Sequence, residues 1–335
     1  MTSPRLSLVL PGKDVAPWVG DALSSLVDQL PAGELEVVVV DDGSTDQTSE
    51  VVSSFADRLP RLVLHRNEEP SGLATARNTG LGLATAPLIG FLDGDDWLAR
   101  GHLARLVAAV EELDVDFVRC DHVRVTAGRR QLVRAPMAVR GRRLDPRDAI
   151  LPADDSSMVD YPYAWAGIFR RSMLEEGLLH FHDGLHTAED RPWIWRLMLQ
   201  ARSYAVVSSP GVMYRRGLSG SLTQIVDRRQ LDFLRAYRLC FALVDADHAG
   251  SSFEPKLVRQ FLAVLASQLA RQGLPRELHA AMVRESVAIL GGRDPEVLWS
   301  TGLAMDEKRR QRLQPVLRRV VPAGRRGAAP VAVNA

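Results

Sequence analysis

Phe91-Leu92-Asp93-Gly94-Asp95-Asp96-Trp97 places three carboxylates within four residues, directly after the apolar run Pro87-Leu88-Ile89-Gly90-Phe91-Leu92. The run is short and almost wholly apolar, which reads as a buried strand. The carboxylates then fall at the carboxyl end of that strand, where open α/β sheets bind their ligands. Carboxylates this close repel one another. A hard divalent cation taking oxygen ligands would relieve the repulsion. A solvated acidic turn is the competing reading of the same seven residues.

The flanking sequence repeats the pattern. Residues 5 to 10 and 35 to 40 are apolar runs, the second (Leu35-Glu36-Val37-Val38-Val39-Val40) nearly continuous, as expected of a parallel strand covered on both faces. The second run ends in another acidic pair, Asp41-Asp42. Helical spacing over 17 to 29, 47 to 58, 72 to 84 and 100 to 113 alternates with strands at 61 to 65 and 116 to 119. That alternation predicts an α/β fold with a mostly parallel sheet and right-handed crossovers. Both acidic clusters would reach one carboxyl edge, with Arg77 starting from a helix between them. Such an edge suits a diphosphate. Residues 121 to 135 read as a hairpin turning at Ala127-Gly128. Residues 140 to 190 read as irregular and carry Tyr161, Tyr163 and Trp165 before Glu189-Asp190. Long irregular stretches in compact domains are usually functional or disordered, and the aromatics favour function. A helix over 189 to 200 and short strands at 203 to 207 and 213 to 216 follow.

After residue 225 the pattern becomes helical throughout: Leu231, Leu234, Phe241 and Val244, then Leu257, Phe261, Leu265 and Leu269. The expected organisation is a sheet domain over 1–224, an all-helical domain over 225–322 and a disordered Gly/Ala/Pro-rich tail over 323–335. The chain of 335 residues has net charge +1, which argues against a general nucleic-acid binder. Residues 306 to 326 hold eight Lys/Arg against two acids, a basic segment suited to an anionic polymer, an anionic lipid surface or plain solvation. Two cysteines, Cys120 and Cys240, are too few for a disulfide framework and fit a reducing, cytoplasmic setting. No run of 18 apolar residues is present, so contact with a membrane would be peripheral.

The first 220 residues resemble family 2 glycosyltransferases of the GT-A fold. The resemblance rests on Leu8-Val9-Leu10-Pro11, Val39-Val40-Asp41-Asp42-Gly43-Ser44-Thr45-Asp46, Gly72 to Gly80 with Arg77-Asn78, Phe91 to Trp97, Phe169-Arg170-Arg171-Ser172 and Glu189-Asp190. It implies a nucleotide-sugar site built from Pro11, Asp14, Asp41, Asp42, Arg77, Asp93, Gly94 and Asp95, with Asp41 or Asp42 on the base, usually uracil, and Arg77 on the nucleotide or its phosphates. It implies Mg2+ or Mn2+ on the D-x-D motif, Asp95 as direct ligand and Asp93 nearer the ribose. It implies Asp190 as catalytic base with Glu189 beside it, and inversion by single displacement from a UDP-sugar to a glycan or cell-wall polymer. Trp165 and Trp193 are expected to wall the acceptor site, with His186 and Arg216 near the acceptor or diphosphate. The helical domain is expected to bind acceptor, a membrane partner or a second copy of the chain.

Other classes fit less well. A haloacid-dehalogenase phosphatase would carry its D-x-D near the N-terminus and end it in Gly-Thr. A dinucleotide oxidoreductase would show G-x-G-x-x-G where the chain has Pro11-Gly12-Lys13-Asp14. A non-catalytic scaffold with a transferase-like shape is the remaining alternative, against which Asp93, Asp95 and Asp190 stand together.

Overall fold

The computed structural model describes residues 3–218 and 227–325. Its first four strands are β1 (Leu6–Gly12), β2 (Leu35–Asp41), β3 (Leu62–Arg66) and β4 (Leu88–Phe91). They pair in parallel in the order β3-β2-β1-β4, with Gly12 opposite Asp41 and Asp41 opposite Arg66. Three helices cross between them: α1 (Ala16–Leu26), α2 (Thr48–Ser53) and α3 (Leu73–Leu83). The apolar runs become the buried strands because both faces are covered, as their unbroken burial records.

Beyond β4 the sheet turns mixed. The next elements are β5 (Trp97–Leu98), α4 (His102–Leu113), β6 (Phe117–Thr126), β7 (Arg129–Val133), β8 (Gly167–Arg170), α5 (Ser172–Glu175), α6 (Asp190–Gln200) and β9 (Tyr204–Arg216). The order continues β4-β8-β6-β9-β5, and β7 hangs on β6 as the hairpin expected at Ala127-Gly128. The parallel character is therefore confined to the first four strands and the β6/β9 pair. The antiparallel β8 sits between β4 and β6. It comes from the stretch that reads as irregular, because four residues between polar loops carry too little periodicity to announce a strand. The strands expected at 203–207 and 213–216 are one strand. Opposite it the register shifts between Cys120 and His122, so Pro210-Gly211 is absorbed as a bulge rather than a break.

The helical part comprises α7 (Asp232–Asp245), α8 (Gly250–Leu269), α9 (Arg276–Leu290), α10 (Pro295–Leu303) and α11 (Glu307–Val320). The boundary expected at 224/225 lies outside the described residues, as does most of the tail. The buried core runs without a break from the sheet into these helices. No helix of the described residues is long and apolar enough to cross a membrane.

A polar lock joins the two parts. Lys256 on α8 is wholly buried, and its Nζ lies 2.5 Å from both Asp160 Oδ2 and the Asp155 carbonyl. Gln260, one turn on, donates to Asp160 Oδ1 and the Val159 carbonyl, both at 2.8 Å, and accepts from Trp195 Nε1 at 2.8 Å. Removing one partner of a buried pair strands the other charge. Lys256→Met is therefore expected to lower unfolding free energy by about 3 kcal/mol. The double variant Lys256→Met/Asp160→Asn should recover most of that loss in denaturant titrations. Equal losses in the two would show that the charge pair is not the source.

Candidate active site

The site is assembled around Arg77. Its guanidinium is 3% exposed, donates from Nη1 to Glu189 Oε1 at 2.8 Å and from Nη2 to Asp93 Oδ1 at 2.9 Å, and lies 5.1 Å over the Phe181 ring. One buried cation thus ties the acidic loop after β4 to the N-terminus of α6. Arg77, expected on the nucleotide, thus spends one donor from each terminal nitrogen on a protein carboxylate. Its helical neighbours do similar work. Asn78 donates to the Phe181 carbonyl at 2.8 Å and accepts from Phe181 N at 2.9 Å, and Thr75 bonds Asp183 at 2.8 Å. The Gly72 to Gly80 motif is a clamp on the chain leading to Glu189-Asp190.

Glu189 caps α6 and Asp190 opens it. Burial pushes the Glu189 carboxyl up to about 7 against the pull of Arg77. Burial also raises Asp190, opposed by Arg191 and Arg77. The Asp190 side chain keeps 28% exposure and its nearest cation, Arg191 Nε, stands off at 3.8 Å. A carboxylate that is accessible, loosely paired and raised in pKa has the properties of a general base.

The acidic loop presses against β1. A Cβ placed on Gly94 would lie 3.4 Å from the Pro11 carbonyl and 3.1 Å from Val15, so Gly94 and Pro11 meet as packing partners at the sheet edge. Burial, then the charge of Asp93, push the Asp95 carboxyl up to about 6. Asp96 is fully buried; Oδ1 accepts from Arg215 N at 2.7 Å while Oδ2 has no partner. Burial and then the charges of Asp95 and Asp93 hold Asp96 well above the usual carboxylate range. Asp96 thereby fastens the acidic loop to the end of β9, a role the bare cluster does not announce. Arg215 completes the link, donating to the Asp95 carbonyl at 2.9 Å and stacking 4.6 Å over Trp97.

Asp41 and Asp42 are largely spent on the backbone. Asp41 is fully buried and accepts from Ser44 N at 2.8 Å and from Ser49 Oγ. Asp42 accepts from Asn67 Nδ2, Ser71 N, Ser71 Oγ and Gly72 N, all within 2.8 Å. Burial raises its pKa, but these four donors outweigh it and leave Asp42 below the usual range. Both carboxylates, expected near the base, therefore also shape the loops after β2 and β3. Asp14 is the exposed member, at positive φ of 52°, lowered to about 2 by Lys13 and the Thr45 backbone.

The two tryptophans expected at the acceptor site are both buried. Trp193 is 0% exposed, stacked on Phe181 at 5.3 Å with Nε1 donating to the Leu179 carbonyl. It is core, because its position on α6 faces the sheet. Trp165 is also buried, stacked 4.7 Å from Tyr163 and tilted against Tyr214 at 5.1 Å. The half-buried Tyr163 and Tyr214 are the outer members of this wall, with Arg216 Nη1 donating to Tyr214 Oη at 2.9 Å. Beneath them Arg119, fully buried, donates to the Tyr161 and Tyr163 carbonyls, both at 2.8 Å. His186 is exposed at the N-terminus of α3, its Nδ1 3.2 Å from a Cβ placed on Gly72, and its amide donates to Asp232 on α7 at 2.8 Å. Residues 219–226, which follow Arg216 in the chain, lie outside the described residues. Tyr214 and Asp96 were legible only as members of a strand and a cluster; their roles arise from the β9 pairing.

The model of glycosyl transferase family 2 matches residues 7–178, just over half of the chain. The chain belongs to that family. This transferase is 28% identical over 234 residues to glycosyltransferase EpsJ of Bacillus subtilis, covering 68% of its own length and 66% of that relative's. It is 26% identical over 260 residues to poly(ribitol-phosphate) beta-N-acetylglucosaminyltransferase TarS of Staphylococcus aureus, covering 77% of its own length and 44% of TarS. The transferase spans somewhat less than two thirds of EpsJ and under half of TarS. In three dimensions it resembles S. aureus TarS 1-349, solved in complex with UDP-GlcNAc, with TM-score 0.76 at 21% identity over 93% of this chain and 89% of that one. The structural likeness covers 93% of the chain and so takes in the C-terminal helices, and the family is one of glycosyl transferases.

Proposed function

We propose that this transferase moves a sugar, of the hexosyl or N-acetylhexosaminyl class, from a UDP-sugar to a hydroxyl of a cell-wall polymer or polysaccharide, with inversion. One observation carries the reading: Arg77 joins Asp93 of the acidic sheet edge to Glu189, the residue directly before the accessible Asp190. Asp190 takes the proton of the acceptor hydroxyl, whose oxygen attacks the anomeric carbon as the nucleoside diphosphate departs from the other face. Glu189, held by Arg77, keeps the N-terminus of α6 in register with Asp93.

The donor set fits a divalent cation. Asp95 is a carboxylate destabilised by burial and by Asp93, so a cation there would relieve a strain already present. Among the described residues no cluster of three or more ligating side chains is preformed. That suits Mg2+ or Mn2+ held by one or two carboxylates and completed by water and substrate phosphates. Asp95 and Asp93 would hold the ion, which when bound neutralises charge on the leaving diphosphate.

The test is thermal stabilisation by UDP, GDP, ADP and dTDP, each with and without Mn2+. Ligand at 100-fold excess over Kd adds about 2.7 kcal/mol to native stability. A Mn2+-dependent shift confined to UDP is expected, and Asp95→Ala should abolish the Mn2+ dependence. A shift with another nucleotide alone would overturn the UDP assignment. Unchanged Mn2+ dependence in Asp95→Ala would overturn the metal site.

A further inference from the structure

We propose that the groove between α10 and α11 is a second binding site, apart from the transfer site, for an anionic polymer whose repeat carries phosphodiesters and free hydroxyls. The groove has a volume of about 600 Å3 and is lined by Trp299 and Leu303 from α10 and Arg310, Gln311, Gln314 and Arg318 from α11. Residues 307, 311, 314 and 318 follow helical spacing, so one stripe of α11 faces α10. Gly302 sets the closeness of the two helices: a Cβ there would meet Leu317 Cδ1 at 2.7 Å.

Three features define the ligand. Arg310 is exposed and has no carboxylate partner among the described residues, and Lys308, Arg312 and Arg319 add positive charge along the same helix. A guanidinium in a concave lining suits a phosphodiester. Trp299 lines the groove with its indole, whose Nε1 finds no acceptor among the described residues. The indole face beside the Gln311 and Gln314 amides suits a polyol or sugar, with its apolar face and its hydroxyls. The one acid in the lining, Glu307, accepts from Gln311 Nε2 at 3.2 Å, at the start of α11.

A membrane surface fits these facts less well. An interfacial helix lays its apolar face into lipid. Here that face, Leu313, Val316 and Leu317, is already buried in the protein. A groove with an indole floor favours a chain lying along it. Because α11 packs on α8 and α9, the site is on the helical part, where it would retain a long acceptor between transfers and raise its effective concentration at the acidic edge. The inference rests on the proposed polymer acceptor of the transfer site.

The experiment measures binding of the full chain to poly(ribitol phosphate), neutral dextran and phosphatidylglycerol vesicles, with Arg310→Ser, Trp299→Phe and Arg312→Ser compared. Arg312 lies on the same helix away from the groove, so its loss removes equal charge. Poly(ribitol phosphate) is expected to bind, with affinity falling about tenfold in Arg310→Ser and Trp299→Phe. Arg312→Ser should fall no more than about twofold, because exposed charges act through a screened field. Equal loss in all three variants would reduce the groove to a diffuse field and overturn the proposal. So would absence of polymer binding, equal binding of dextran, or displacement of the polymer by vesicles. The Mn2+-dependent UDP shift, measured on the same proteins, should be unchanged. Its absence in wild type alongside groove-dependent polymer binding would fail the donor reading and leave the groove standing.

Discussion

Replacing Asp190 by Asn should cut sugar transfer by roughly 10²–10⁴-fold, the range a positioned general base contributes, while UDP affinity stays within about twofold. The amide keeps the shape of the side chain and its place in the first turn of α6 but cannot take a proton. Among the described residues no hydrogen bond ties Asp190 to the acidic sheet edge; it stands 3.8 Å from Arg191 and is more than a quarter exposed. The same assignment fixes a pH dependence. A base works only when deprotonated, so activity falls as pH drops through its pKa. Burial raises that pKa above the ordinary aspartate value. The acid limb of kcat/KM should therefore lie above the usual aspartate range and vanish from the residual activity of Asp190→Asn. A variant turning over near the wild-type rate, or retaining the limb, would assign the proton transfer to another group.

Arg77→Met should cost about 3–5 kcal/mol of stability near neutral pH, because it strips the cation from two carboxylates that are largely withdrawn from water. The size of the loss should depend on pH. In the wild type the Glu189 carboxyl sits at about 7, above its unfolded value, so its contribution is full at low pH and fades as pH rises through 7. Without Arg77 its pKa climbs further, and the variant goes on losing stability above 7 where the wild type has levelled off. The difference in melting temperature should thus widen from pH 6 to pH 8. Transfer should be lost at every pH, since the base and the acidic edge are no longer held together. A constant difference across that range would mean that Glu189 does not feel Arg77. A variant with wild-type turnover would show that the bridge has no part in positioning.

These two residues mark the limit of what could be read in advance. The N-terminal half was legible because its apolar runs are nearly continuous, alternate with helical spacing and are punctuated by turns, so β1 to β4 and the crossovers between them follow from periodicity and propensity. The placing of Asp41, Asp93 and Asp190 on one edge follows from the parallel arrangement and the family pattern. The antiparallel half was less legible. Gly167–Arg170 has four residues and acquires its strand character from β4 and β6 on either side. Trp193 and Trp165 look alike as sequence, two aromatics in a functional stretch, and burial alone separates core from wall.

The sequence by itself determined the family and the acidic clusters at the strand ends, because both depend on residue type at a spacing the backbone enforces locally. Only the tertiary structure decided what Arg77, Asp41, Asp42 and Asp96 do. Each is a charged group whose partner lies in a different element, Glu189 being 112 positions from Arg77 and Arg215 being 119 from Asp96. Which group a buried charge pairs with is set by which neighbours the packed fold brings to hydrogen-bond distance, and that is a property of the whole chain.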